Sequence, residues 1–108
     1  MKKINMKAFT VSVRIPDGST KEINYAIKDS LIEVLFSPTL KLNTINLLKQ
    51  EILAKKIIEC GDELLLEDEE YTRLQSALSK VEGLGKNDIE MVHRVLEATS
   101  IEVEPKAS

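Results

Sequence analysis

The sequence predicts an α+β fold. An N-terminal β-hairpin over about 8–27, with a short strand at 100–104 as a candidate third member, packs on about four α-helices at 30–36, 44–60, 68–82 and 88–99. Three observations carry this. Phe9, Val11, Val13 and Ile15 alternate with Thr10, Ser12 and Arg14, the period of a strand with one buried face. The stretch from Thr44 to Cys60 has no Pro or Gly and is apolar around most of a helical circumference. Tyr71, Leu74, Leu78 and Val81, and again Ile89, Val92, Leu96 and Thr99, repeat at intervals of 3, 4 and 3, as amphipathic helices do.

Residues 1–7 read as a flexible start, and 105–108 as a mobile tail of the same single domain, 1–108. In the hairpin, Pro16 pre-sets φ for the first loop residue, Asp17 suits the second, and Gly18 takes a left-handed third. A three-residue loop pairs Ile15 with Ser19, Val11 with Ile23 and Phe9 with Tyr25, so the apolar residues share a face. A two-residue loop would split them between faces, and it is rejected.

Ile27 is expected to end the second strand. Ser30-Leu-Ile-Glu33 has capping-box spacing, and Ser37-Pro38 stops the short helix that follows. Asn43 or Thr44 caps the long helix. Its all-round apolarity predicts a central element packed on several sides, with Lys55 and Lys56 near its C-terminal dipole and Gly61 closing it. Glu63–Leu66 is either a strand or a buried connector. Glu67 or Asp68 must cap the third helix, Gly83-Leu84-Gly85 breaks it, and Asn87-Asp-Ile-Glu90 opens the last.

At 108 residues the chain matches the commonest domain size. Its aromatic residues are only Phe9, Phe36, Tyr25 and Tyr71, so the core must be aliphatic. The single cysteine, Cys60, cannot form an internal disulfide, which suits a reducing cytoplasm. No apolar run approaches the ~18 residues of a membrane span, and no apolar region follows the basic start as a signal peptide requires. A cytoplasmic protein without membrane contact is expected. Net charge is −3, from 15 basic and 18 acidic residues, and Lys2, Lys3, Lys7, Lys55 and Lys56 are scattered, which disfavours nucleic-acid binding.

Residues with catalytic potential are few. His93 is the only histidine and lies at the edge of an apolar stripe. Cys60 stands at a helix end, where no dipole lowers its pKa, and reads as a packed thiol. Gly83-Leu-Gly-Lys-Asn87 lacks phosphate-loop spacing and reads as a helix–helix turn. Neither a nucleophile elbow nor a Cys-x-x-Cys pair is present. No catalytic residue, metal ligand or cofactor is expected. The acidic run Glu67, Asp68, Glu69 and Glu70 suits a helix N-terminus, and is the candidate protein-contact surface together with the hairpin edge.

The order of Leu31-Ile-Glu-Val-Leu35, Ala54-Lys-Lys-Ile-Ile-Glu-Cys-Gly-Asp-Glu-Leu64, Leu66-Glu-Asp-Glu-Glu-Tyr-Thr-Arg-Leu74 and Val92-His-Arg-Val-Leu-Glu-Ala98 resembles small uncharacterised proteins of tailed bacteriophages and prophages. It covers roughly residues 10–98 as a pattern of apolar spacing and caps. Glu67 departs from it, standing where Ser or Thr is usual. The resemblance implies a phage gene neighbourhood and carries over no activity and no functional residue. The sequence thus leads to a non-enzymatic accessory or regulatory module that binds a host or viral protein. The alternative is a structural or assembly subunit acting as a homo-oligomer, such as a virion component.

Overall fold

The computed structural model describes residues 1–100. The fold is α+β. Nine elements follow in order: β1 (Lys2–Asn5), β2 (Thr10–Arg14), β3 (Thr20–Asn24), α1 (Ile27–Leu35), α2 (Thr44–Glu59), β4 (Glu63–Leu66), α3 (Asp68–Lys80), α4 (Ile89–Leu96) and β5 (Thr99–Ser100). Short 3-10 turns at Pro38–Leu40 and Lys86–Asp88 precede α2 and α4.

The hairpin forms with the expected register. Val11 faces Ile23, the Tyr25 N–H donates to the Phe9 carbonyl at 2.9 Å, and the Ile15 N–H donates to the Ser19 carbonyl at 3.0 Å. Gly18 takes φ +90°, and Asp17 Oδ1 accepts from the Ser19 N–H at 2.8 Å and its hydroxyl at 2.6 Å. Those two hydrogen bonds hold the Asp17 carboxyl below its ordinary pKa.

The hairpin does not extend the main sheet. That sheet runs β4–β1–β5, antiparallel throughout, so β5 pairs with β1 and not with the hairpin. The segment expected to be a flexible start is thus the central strand. Ile4 explains why: it pairs with Leu64 and, like Leu64 and Leu66, is fully buried. Residues 101–104 and 105–108 lie outside the described residues.

α1 begins three residues before the expected start. Ile27, Leu31, Val34 and Leu35 form one buried stripe, so Ile27 is a helical core residue, not a strand end. Ser30 therefore lies inside the helix, where its N–H donates to the Ala26 carbonyl, and the Ser30–Glu33 box does not form. Asn43 caps α2, its Oδ1 accepting from the Asn46 N–H at 2.8 Å. At the other end Gly61 does not take the left-handed conformation. The Lys28 ammonium of α1 donates to the carbonyls of Ile58 and Cys60 in its place.

α2 is not surrounded. Gln50, Leu53, Ala54 and Ile57 face the core, while Ile45, Leu47, Leu48, Ile52 and Ile58 are exposed. α1 packs on it, and α3 reaches it through the Lys56–Glu70 pair and the contacts of Arg73 with Asn46 and Gln50. The stripe expected on α4 is also out of phase. Met91 and Val95 are buried, whereas Ile89 and Leu96 are exposed. β1 packs on the Met91–Val95 side, and the Tyr71 hydroxyl donates to the Val95 carbonyl at 2.6 Å.

Candidate functional site

The acidic run at the start of α3 divides between the fold and the surface. Glu70 reaches back over the helix start, its Oε1 accepting from the Glu67 N–H at 2.9 Å, while the exposed Glu67 side chain makes no cap hydrogen bond of its own. Glu70 also accepts from the Lys56 ammonium at 2.7 Å, tying α3 to α2. Glu70 is thereby committed to the fold. Glu67, Asp68 and Glu69 remain on the surface, with Asp68 3.2 Å from the Met1 α-ammonium.

α2 supplies a second surface, where its apolar circumference exceeds what the core covers. Ile45, Leu48 and Ile52 are 66%, 56% and 58% exposed. At about 100° per residue they fall on the side of the helix turned away from Leu53 and Ile57. Lys49, Lys55 and Lys56 border them, and Lys55 lies 3.8 Å from Glu51. Leu47 and Ile58 are exposed on the flank next to Ala54, parted from that stripe by Glu51 and Lys55. Monomeric surfaces rarely leave contiguous aliphatic side chains this bare.

A third assembly joins the hairpin to the body. The Phe9 and Tyr25 rings stack with centroids 4.9 Å apart, and the Arg94 guanidinium lies over Phe9 at 4.4 Å. Arg94 donates to Glu90 at 2.9 Å and to the carbonyls of Asn5 and Lys7. The Tyr25 hydroxyl donates to Asp88, whose other oxygen accepts from the Gly85 N–H at 2.8 Å. Burial first, and the Asp88 carboxylate second, push the Tyr25 phenol up to about 12. The Gly83–Asn87 stretch is thus a capped turn in which Gly83 takes φ +89°. Its Gly85 N–H is spent on Asp88, which removes a donor a phosphate would need.

His93 is exposed, with Nδ1 3.3 Å from Glu97 one turn later. The half-buried Cys60 donates its thiol to the Ile57 carbonyl at 3.1 Å, and burial pushes its pKa up against the pull of the Lys28 ammonium. Among the described residues His93 pairs with Glu97 alone, and the Cys60 thiol meets a backbone carbonyl. Among the described residues no three His, Cys, Asp or Glu side chains gather as a metal site. Lys3 lies 3.7 Å from Glu63, and Lys2 lies over the Tyr71 ring. No described helix is long and apolar enough to cross a membrane. The chain matches no protein family, no curated protein and no solved structure.

Proposed function

We propose that this chain is a non-enzymatic protein-association module, an accessory or regulatory protein of phage or prophage origin acting in the cytoplasm. One observation carries the proposal: the bare outward face of α2 centred on Ile45, Leu48 and Ile52. Covering such a face removes aliphatic surface from water, worth about 25 cal/mol per Å², without disturbing the core on the other side of the helix. The bordering lysines supply a charged rim, the usual anatomy of a protein contact. Asp68 and Glu69 offer a second, acidic contact for a basic partner.

The test is capture of partners by the tagged protein beside two surface variants. Leu48→Lys with Ile52→Lys should abolish capture while circular dichroism stays native. Asp68→Asn with Glu69→Gln should weaken it and spares the Glu67–Glu70 cap. Capture that survives the α2 double variant unchanged would refute the reading.

The α2 face also favours a homo-oligomeric structural or assembly subunit, because its centre is aliphatic and uncharged and so can meet a copy of itself. Light scattering separates the two. A defined oligomer that dissociates in the Leu48→Lys, Ile52→Lys variant supports self-assembly. A monomer that still captures a foreign protein supports the accessory role.

A further inference from the structure

An open groove of about 560 Å³ runs between α2, α3 and the Pro38–Leu40 turn. That volume lies within the roughly 300–1,000 Å³ of small-ligand sites. Leu40 and Leu42 supply apolar lining, Asn46 and Gln50 come from α2, and Arg73 and Lys80 from α3. Positions 73 and 80 share a face of α3, about 10 Å apart along its axis.

Arg73 is half-buried, and its guanidinium carries five N–H donors in a fixed fork. Among the described residues only Nη1 finds acceptors, Asn46 Oδ1 at 3.4 Å and Gln50 Oε1 at 3.5 Å, both long contacts. Gln50 is 2% exposed and anchored by its own donation to the Leu35 carbonyl at 3.2 Å, so it is a fixed wall. A comparison within the molecule shows what is missing. Glu90 and Arg94, four residues apart on α4, close at 2.9 Å. Glu69 and Arg73 have the same spacing on α3 and form no ion pair, nor does any other described carboxylate pair with Arg73. Nε and Nη2 of the fork are left without a protein acceptor among those residues.

We propose that this groove binds a singly charged carboxylate with an attached aliphatic group. The carboxylate takes the free side of the Arg73 fork, where two parallel N–H···O bonds match its plane. The aliphatic part lies on Leu40 and Leu42, and Lys80 adds attraction from further along the groove. Asp68 and Glu69 also line the groove and repel a dianion, which selects against phosphate esters. The carboxylate belongs either to a free carboxylic acid or to an acidic side chain of a bound peptide. The site is distinct from the outward face of α2 and stands or falls without it, although Asp68 and Glu69 border both the groove and the acidic contact.

The experiment is an amide-resolved NMR titration of the full chain with hexanoate, hexylammonium, hexyl phosphate and the capped dipeptide acetyl-Leu-Glu-amide. Hexanoate or the dipeptide should saturate and shift amides around Leu40, Leu42 and residues 72–77. Hexylammonium and hexyl phosphate should shift them less. Arg73→Gln should weaken binding about tenfold or more. Arg73→Lys keeps the charge without the fork and should fall between, and Lys80→Gln, on an exposed residue, should lose less. A tighter response to the dipeptide assigns the site to a peptide's acidic side chain, and to hexanoate to a free acid. No saturable shift with either carboxylate, an equal response to hexylammonium, or full binding in a folded Arg73→Gln variant overturns the proposal.

Discussion

Tyr25 stacks on Phe9 on one side and donates its hydroxyl to Asp88 on another, so a single side chain links the hairpin base to the turn before α4. An unfolded phenol ionises near pH 10, whereas the folded Tyr25 does so at about 12. The native state therefore holds this proton longer. The contribution to stability is intact below pH about 10 and is lost as the pH rises towards the folded value. Phenolate absorbance should show both tyrosines above the ordinary range, since burial raises Tyr71 as well, and Tyr25→Phe should remove the step at about 12. The variant should also cost about 1.5–3 kcal/mol by chemical denaturation, since it deletes one hydrogen bond to a charged acceptor. A lone step near pH 10 for Tyr25 would show that Asp88 does not hold it. The bond spans two segments far apart in the chain, and nothing in the spacing of Tyr25 and Asp88 pointed to it.

At the scale of the elements, α2 has two faces with opposite consequences. Leu53→Ala should cost about 2–5 kcal/mol, because Leu53 is fully buried and truncation leaves a cavity. Leu48→Ala should change stability by no more than about 0.5 kcal/mol, as exposed positions do. Similar losses at both positions in denaturant melts would mean that Leu48 is packed after all. Asn43→Ala, which deletes the α2 cap, should cost about 1 kcal/mol.

This contrast marks what the sequence could and could not reveal. A period of two together with a glycine turn admits one sensible register, and Val11 opposite Ile23 followed from it. The Asn43 cap was readable for the same reason, since caps act over three or four residues, and α3 does begin after Glu67, one of its two candidate caps. The buried side of α2 was not readable. Its apolar residues circle the helix, so phase depends on where α1 and α3 sit. α4 failed in the same way, with Val92 placed on the expected stripe and Met91 and Val95 chosen by β1. β1 itself was missed because four residues are too few to reveal a period. Of the candidate contact residues, Glu67, Asp68 and Glu69 stay on the surface, while Glu70 is occupied by the Glu67 N–H and the Lys56 ammonium.

Across the whole molecule the hairpin and the body differ in support. Every residue of β3 is exposed, and the hairpin meets the rest at Phe9 and Tyr25. Amide hydrogen exchange should therefore find the β2–β3 bonds opening well before those of β1 and β4, whose Ile4, Leu64 and Leu66 are fully buried. Equal protection in both sheets would mean that the hairpin opens only with global unfolding.

The position of β1 also fixes an order of events during synthesis. Its two neighbours in the sheet, β4 and β5, come much later in the chain than the strand they flank. The hairpin and the α1–α2 pair can form from near neighbours as they leave the ribosome, but β1 must wait with both edges bare until Leu66 and then Ser100 have emerged. Closing the sheet is then the slow, non-local step, and the interval before it is when a foreign strand could take β5's place beside Lys2 and Lys3.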